Sequence, residues 1–206
     1  MAKTSNAAAL RGAKLIKKAL TSAAAVIPAP EPLVGAKKLK LPNGEPLSPA
    51  MKELLTFDGS FLAIDYDDEE FEIEAAALED IIEEHFGEAA VPAFAEATEL
   101  LSEDLVAFGC DRVRPACLYV GEVDDAGEYP VLELSYEDGV ARIGGFVPFD
   151  VWMAQELGGL ERGKDIGDVP AEYAELPKAA AEANGDGRVV FTPQAGVADA
   201  DEDEDE

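Results

Sequence analysis

One histidine, His85, and two cysteines, Cys110 and Cys117, occur in the 206-residue chain, and they bound its chemistry tightly. Nucleophilic catalysis of the Cys–His or Ser–His–Asp kind would have to recruit His85. The cysteines stand seven positions apart without CxxC spacing. A zinc site therefore lacks ligands, and two thiols make no disulfide framework. Both read as small buried apolar residues in a reducing compartment. Carboxylates are plentiful, with 44 Asp and Glu against 16 Lys and Arg. At that density chance pairs are certain, so a pair of acids does not mark an acid–base or glycosidase site. Asp65–Glu74, DYDDEEFEIE, lacks the turn glycine and closing glutamate of an EF-hand loop and reads as a solvated acidic edge. Gly144-Gly145 and Gly158-Gly159 complete neither GxGxxG nor a P-loop, and no GxSxG elbow is present. The residues point away from an enzyme, and no catalytic residue, metal ligand or cofactor is assigned.

The net charge of −28 is unevenly distributed. Residues 1–40 hold eight basic residues (Lys3, Arg11, Lys14, Lys17, Lys18, Lys37, Lys38 and Lys40) and one acid, Glu31, a balance of +7. The rest of the chain carries −35. Such acidity opposes nucleic-acid phosphates as the main partner and suits a basic protein. A hydrophobic content of 48% excludes wholesale disorder. No run approaches the roughly 18 apolar residues of a membrane-spanning helix. A cytoplasmic location is expected.

Five segments follow from pattern and punctuation. Residues 1–27 form a basic, Ala-rich helical segment with Leu10, Lys14, Lys17 and Lys18 near one face and Ala13, Ile16 and Leu20 on another. Three roles are open to it: a solvated or docked terminal helix, an amphipathic helix on an anionic surface or protein, or a cleaved export signal. Residues 28–47 are Pro-rich and read as an extended linker. Residues 48–160 are the folded domain. Ser48-Pro49 starts a helix that stops at Asp58-Gly59, and Phe61–Ile64 suggests a strand. Leu78, Ile81, Ile82 and Phe86 make the apolar stripe of a helix over 75–86, with His85 near its end in a structural cap or surface role. Another short helix fits 92–101.

From Leu105 the period turns strand-like. LVAFG, ACLYVGEV, EYPVLELSYE and GVARIGGF are short apolar runs joined by loops such as Asp125-Ala126-Gly127 and Glu137-Asp138-Gly139, the chemistry of hairpins. An antiparallel meander follows. Phe149–Ala154 then opens a helix ending at Gly158-Gly159, with Trp152 as core anchor. Residues 161–198 are an extension in which 170–184 suggests a helix and 188–191 a strand. Residues 199–206, DADEDEDE, are an acidic tail expected to stay disordered and solvated.

The stretch from Leu47 to Leu157 resembles the SUKH superfamily, named for its Syd and yeast cell-wall-regulator homologues. The resemblance rests on LSPAMKELLTFDGSF, on LVAFG leading into GEYPVLELSYEDGVARIGG, and on FDVWMAQELG, where Phe149, Trp152 and Leu157 occupy the apolar places of a closing helix. It implies an α+β fold, an antiparallel or mixed sheet with helices packed against it. It also implies a non-enzymatic, protein-binding function, often that of an immunity protein that neutralises a toxin. An acidic surface would speed capture of a basic toxin. Asp124, Asp125, Glu128, Glu137 and Asp138 are the candidate partner contacts, with Tyr129 and Tyr136 as aromatic anchors. The alternative is an adaptor or scaffold whose basic N-terminal segment docks a protein or an anionic surface.

Overall fold

The computed structural model describes residues 10–23, 29–61, 65–67, 72–74, 78–94, 105–108, 116–121, 123–161 and 189–192. The fold is α+β. Its centre is a five-stranded sheet in the order β3 (Leu105–Phe108), β4 (Ala116–Tyr119), β5 (Pro130–Glu137), β6 (Val140–Pro148) and β7 (Val189–Thr192). The first four strands are antiparallel neighbours, the expected meander. β7 joins β6 in parallel, so the sheet is mixed. The β5–β6 turn places Asp138 and Gly139 at φ of 52° and 79°, the left-handed pair of a two-residue hairpin loop. A separate two-stranded sheet pairs β1 (Asp65–Asp67) with β2 (Glu72–Glu74). The acidic edge predicted over 65–74 is therefore a small hairpin in part.

Side-chain alternation sends the sheet into two cores. Ala116, Leu118, Val131 and Val147 face helices α1 (Ala13–Ala23), α2 (Pro49–Phe57) and α4 (Phe149–Glu156). Cys117, Leu132, Leu134, Ala141 and Ile143 face Ile82 of α3 (Leu78–Phe86) and Ala90 and Phe94 just beyond it. Three layers result, helices over each face of the sheet. Cys117 is fully buried, and loss of solvation pushes its thiol up to about 12, so it serves as packing. Cys110 lies outside the described residues.

The N-terminal third is where expectation and fold diverge. Leu15, Ile16, Ala19 and Leu20 of α1 belong to the larger core, while Lys14, Lys17 and Lys18 stay exposed. Of the roles open to residues 1–27, the described part takes that of a docked helix. Its fit against α4 is close: a Cβ on Gly159 would sit 2.8 Å from Ala19 Cβ, and only glycine leaves that room. Residues 28–47, expected as an extended linker, prove integral wherever they are described. Ala36, Leu39, Leu41 and Leu47 are buried, and the Leu41 amide donates to Glu45 O at 2.8 Å across a tight turn. Prolines bar helix and central strand, but they leave the leucines between them free to pack.

Other boundaries shift locally. Phe61, expected to begin a strand, ends a 3₁₀ turn over Gly59–Phe61, and residues 62–64 lie outside the described set. The same holds for the helix expected over 170–184 and for the acidic run 199–206. Ser48 caps α2 as predicted, its Oγ accepting from the Met51 amide with Pro49 in the first turn. Phe149 to Ala154 are buried all round, which is why α4 shows no polar face. Trp152 anchors it, donating from Nε1 to Glu133 Oε1 on β5 at 2.8 Å. Trp152→Phe keeps most of the ring volume and removes that donor. It is expected to cost about 1–2 kcal/mol, read as a lower urea midpoint at unchanged slope.

Candidate functional site

The loop between β4 and β5 is built around a side chain turned inward. Asp124 Oδ1 accepts from the amides of Ala126 and Glu128, both at 2.9 Å, and Gly127 takes φ +76° to close the turn. Its other oxygen accepts from Arg11 Nη2. Arg11 also grips Asp150, through Nε at 2.8 Å and Nη2 at 3.0 Å, the fork-to-carboxylate pairing that guanidinium geometry suits. The Gly12 amide donates to Asp150 as well. One arginine thus fastens the start of α1 to the first turn of α4 and to the β4–β5 loop. Burial opposes the Arg11 charge, but the bonds and charges of Asp150 and Asp124 outweigh it and raise its pKa above the ordinary value.

Glu128 completes the cluster. It is fully buried, and its Oε1 accepts from the Ala50 amide at 2.9 Å, at the N-terminus of α2. A helix N-terminus favours a carboxylate. Burial works the other way and dominates: helped by the charges of Asp150 and Asp124, and opposed by bonds from Ser48 and Ala50, it pushes Glu128 up to about 8. A carboxyl poised near neutrality is often catalytic. Here it is sealed from solvent between Gly12 and α2, so no substrate reaches it. Its chemistry is structural.

The seven predicted contact residues therefore divide. Asp124 and Glu128 are interior members of the cluster, and Tyr129 is 4% exposed with its hydroxyl donating to Pro46 O at 2.9 Å. Burial also raises the Tyr129 pKa, with the charges of Glu45 and Glu128 adding to it. These three are corrected from contact residues to structural ones. Their carboxylates and hydroxyl satisfy backbone donors and acceptors that the fold itself strands. Asp125 is exposed at the loop tip. Glu137 and Asp138 are exposed on the β5–β6 hairpin, at the far end of a strand about 23 Å long. Tyr136 is half-buried there, its hydroxyl donating to Ala89 O at 3.3 Å. The set makes no single face.

Two other surfaces emerge. Beside the β4–β5 loop lies an open depression of about 460 Å³, floored by Leu47, Val120 and Tyr129, with Val123, 45% exposed, at its rim and Glu45 and Lys52 as its charged neighbours. Across the sheet, α3 presents Glu79, Asp80, Glu83 and Glu84 to solvent, and Glu88 follows. The Tyr136 bond brings the Glu137–Asp138 hairpin to the same region. His85 sits exposed within this acidic face, its Nδ1 donating to the Ile81 carbonyl one turn back at 2.9 Å. Lys14, Lys17, Lys18, Lys37, Lys38 and Lys40 are exposed on the opposite helical layer. The charge asymmetry of the sequence becomes an asymmetry in space.

In the sequence Arg11 counts only toward the basic N-terminal balance, and Asp150 carries no marked role. The usable signal was Asp150 itself, an acid within the apolar run Phe149–Ala154, which a buried helix tolerates only when paired. The α3 acids were hidden by being read only for the apolar stripe between them. Among the described residues no helix is long and apolar enough to cross a membrane, and no group of three or more His, Cys, Asp or Glu is placed to hold a metal ion. Compared with protein-family models, curated proteins and solved structures, the chain matches none.

Proposed function

We propose that this chain is a non-enzymatic binding protein that meets a basic partner protein through the acidic face of α3 and the β5–β6 hairpin. The toxin-neutralising immunity role implied by the SUKH resemblance is the form this takes. The observation that carries the reading is the exposed quartet Glu79, Asp80, Glu83 and Glu84. Like charges repeat at i and i+4, an arrangement that weakens a helix. Among the described residues none packs on these side chains, while Ile81 and Ile82 of α3 are buried. An exposed acidic face of this kind accelerates encounter with a basic protein and rejects acidic ones.

The adaptor reading is favoured by one separate observation, the exposed lysines of α1 and of the turn at Ala36–Lys38. The two readings use opposite layers and separate by mutation. A full-length E79Q/D80N/E83Q/E84Q variant is expected to lose the basic partner that the parent chain recovers from the native cell at moderate salt, with association slowed about tenfold or more. Recovery of no basic protein by the parent, or equal capture by the variant, would sink the proposal.

A further inference from the structure

The start of α1, the N-terminus of α2, the first turn of α4 and the β4–β5 loop meet at one junction. Asp150 and Asp124 both accept there from Arg11. Glu128 bonds elsewhere, its Oε1 accepting from the Ala50 amide at 2.9 Å and its carboxyl from the Ser48 hydroxyl. The charged and titratable groups around it are Arg11 before α1, Asp150 on α4, and Asp124 and Tyr129 beside it in the chain, while α2 presents the Ser48 hydroxyl and the Ala50 amide. Three carboxyls thus stand around one guanidinium. Like charges sharing a dry site ionise together only at a cost. Glu128 is fully buried, and burial first, then the charges of Asp150 and Asp124, hold it protonated up to about pH 8.

The first turn of α1 is the cover over that carboxyl. A Cβ on Gly12 would lie 3.5 Å from Glu128 Oε1, so the backbone there rests against it. The Gly12 amide donates to Asp150, and Gly12 O accepts from the Leu15 and Ile16 amides at 3.0 and 3.2 Å. The other walls are held independently. Strands β5 and β6 pair along their length beside the loop and α4, and α2 buries Ala50, Met51, Leu54 and Leu55. Arg11 is the most exposed member of the junction, with 32% of its side chain accessible. Leu15, Ile16, Ala19 and Leu20 keep the rest of α1 in the core, so an opening can be confined to its beginning. Lifting that turn admits water to Glu128, which an ionised carboxylate requires.

We infer that the first turn of α1 is a proton-held latch, shut on the junction while Glu128 keeps its proton and released over residues 11–14 when the proton is lost, with the rest of the domain still folded. The direction in pH follows from the two states. In the open one Glu128 is solvated and titrates near the ordinary 4.5, whereas in the shut one it holds its proton up to about 8. Between those values the open state binds fewer protons. Each pH unit then favours opening by up to about tenfold, and above 8 the gain stops.

Amide hydrogen exchange on the full-length chain tests this. Corrected for intrinsic rates, the Gly12, Leu15 and Ile16 amides should open at least about tenfold more readily at pH 8 than at pH 6. That opening should ignore low urea, because little surface is exposed, whereas the protected amides of β5 should follow urea as global unfolding does. E128Q cannot ionise and should remove the pH dependence of the α1 turn. The Glu128 carboxyl carbon signal of the parent gives a reading that needs no variant, and it should titrate where the rise in opening levels off. The inference fails if the turn opens equally at both pH values or if E128Q keeps the parent's pH dependence. Urea sensitivity equal to that of β5 would replace the latch by unfolding of the whole domain, and a Glu128 signal already ionised at pH 6 would overturn it outright.

Discussion

Arg11→Met is expected to lower the unfolding free energy by about 3 kcal/mol at pH 7. The methionine retains an apolar stem of similar length, so the change isolates the guanidinium. What remains is Asp150 and Glu128, both fully buried, and Asp124 at 6% exposure, without the guanidinium that had bound Asp124 and Asp150. Breaking a buried pair leaves an uncompensated charge, and that penalty exceeds the net worth of the pair. Arg11 is itself about one-third exposed, 32% by side chain, which places the cost toward the lower end of the buried range. Urea melts of both proteins at pH 7 measure this. A deficit below about 1 kcal/mol at pH 7 would mean that water replaces the guanidinium and that the cluster is no fastening.

Glu128→Gln carries the second large effect, and it runs the other way. The folded protein keeps the Glu128 proton up to about pH 8, while an unfolded glutamate releases it near 4.5. Below the lower value both states are protonated and no penalty exists. Between the two the unfolded state holds fewer protons, so stability falls as pH rises, by up to about 1.4 kcal/mol per unit for this group. Above 8 the full cost persists. Glutamine keeps the oxygen that accepts from Ala50 and never ionises. The variant should match the parent at pH 4 and exceed it by about 2–4 kcal/mol at pH 9. A constant difference across that span would show that Glu128 is already ionised in the fold.

Much of the architecture was legible because it is written locally. The Asp138-Gly139 turn, the apolar runs on either side and the Ser48-Pro49 helix start depend on backbone dihedrals and near neighbours. Periodicity likewise identified α3 by Ile81 and Ile82 and α4 by Phe149 and Trp152. The candidate contacts were legible only as a charged loop and a charged hairpin. Type and neighbourhood cannot say whether an aspartate faces solvent or an arginine over a hundred positions away.

Composition and spacing by themselves determined several helices, an antiparallel meander, a basic beginning and an acidic remainder; the α+β class was what the SUKH resemblance implied. The tertiary structure decided which acids are structure and which are surface. Asp124, Glu128 and Asp150 went inside because α1 docks where its leucines can be buried, and that docking delivers Arg11 to them. Glu79, Asp80, Glu83 and Glu84 stayed outside because Ile82 between them packs against the sheet and Ile81 is buried beside it in the helix. Apolar burial sets the placement of each element, and the fate of a charge follows from where that placement leaves it.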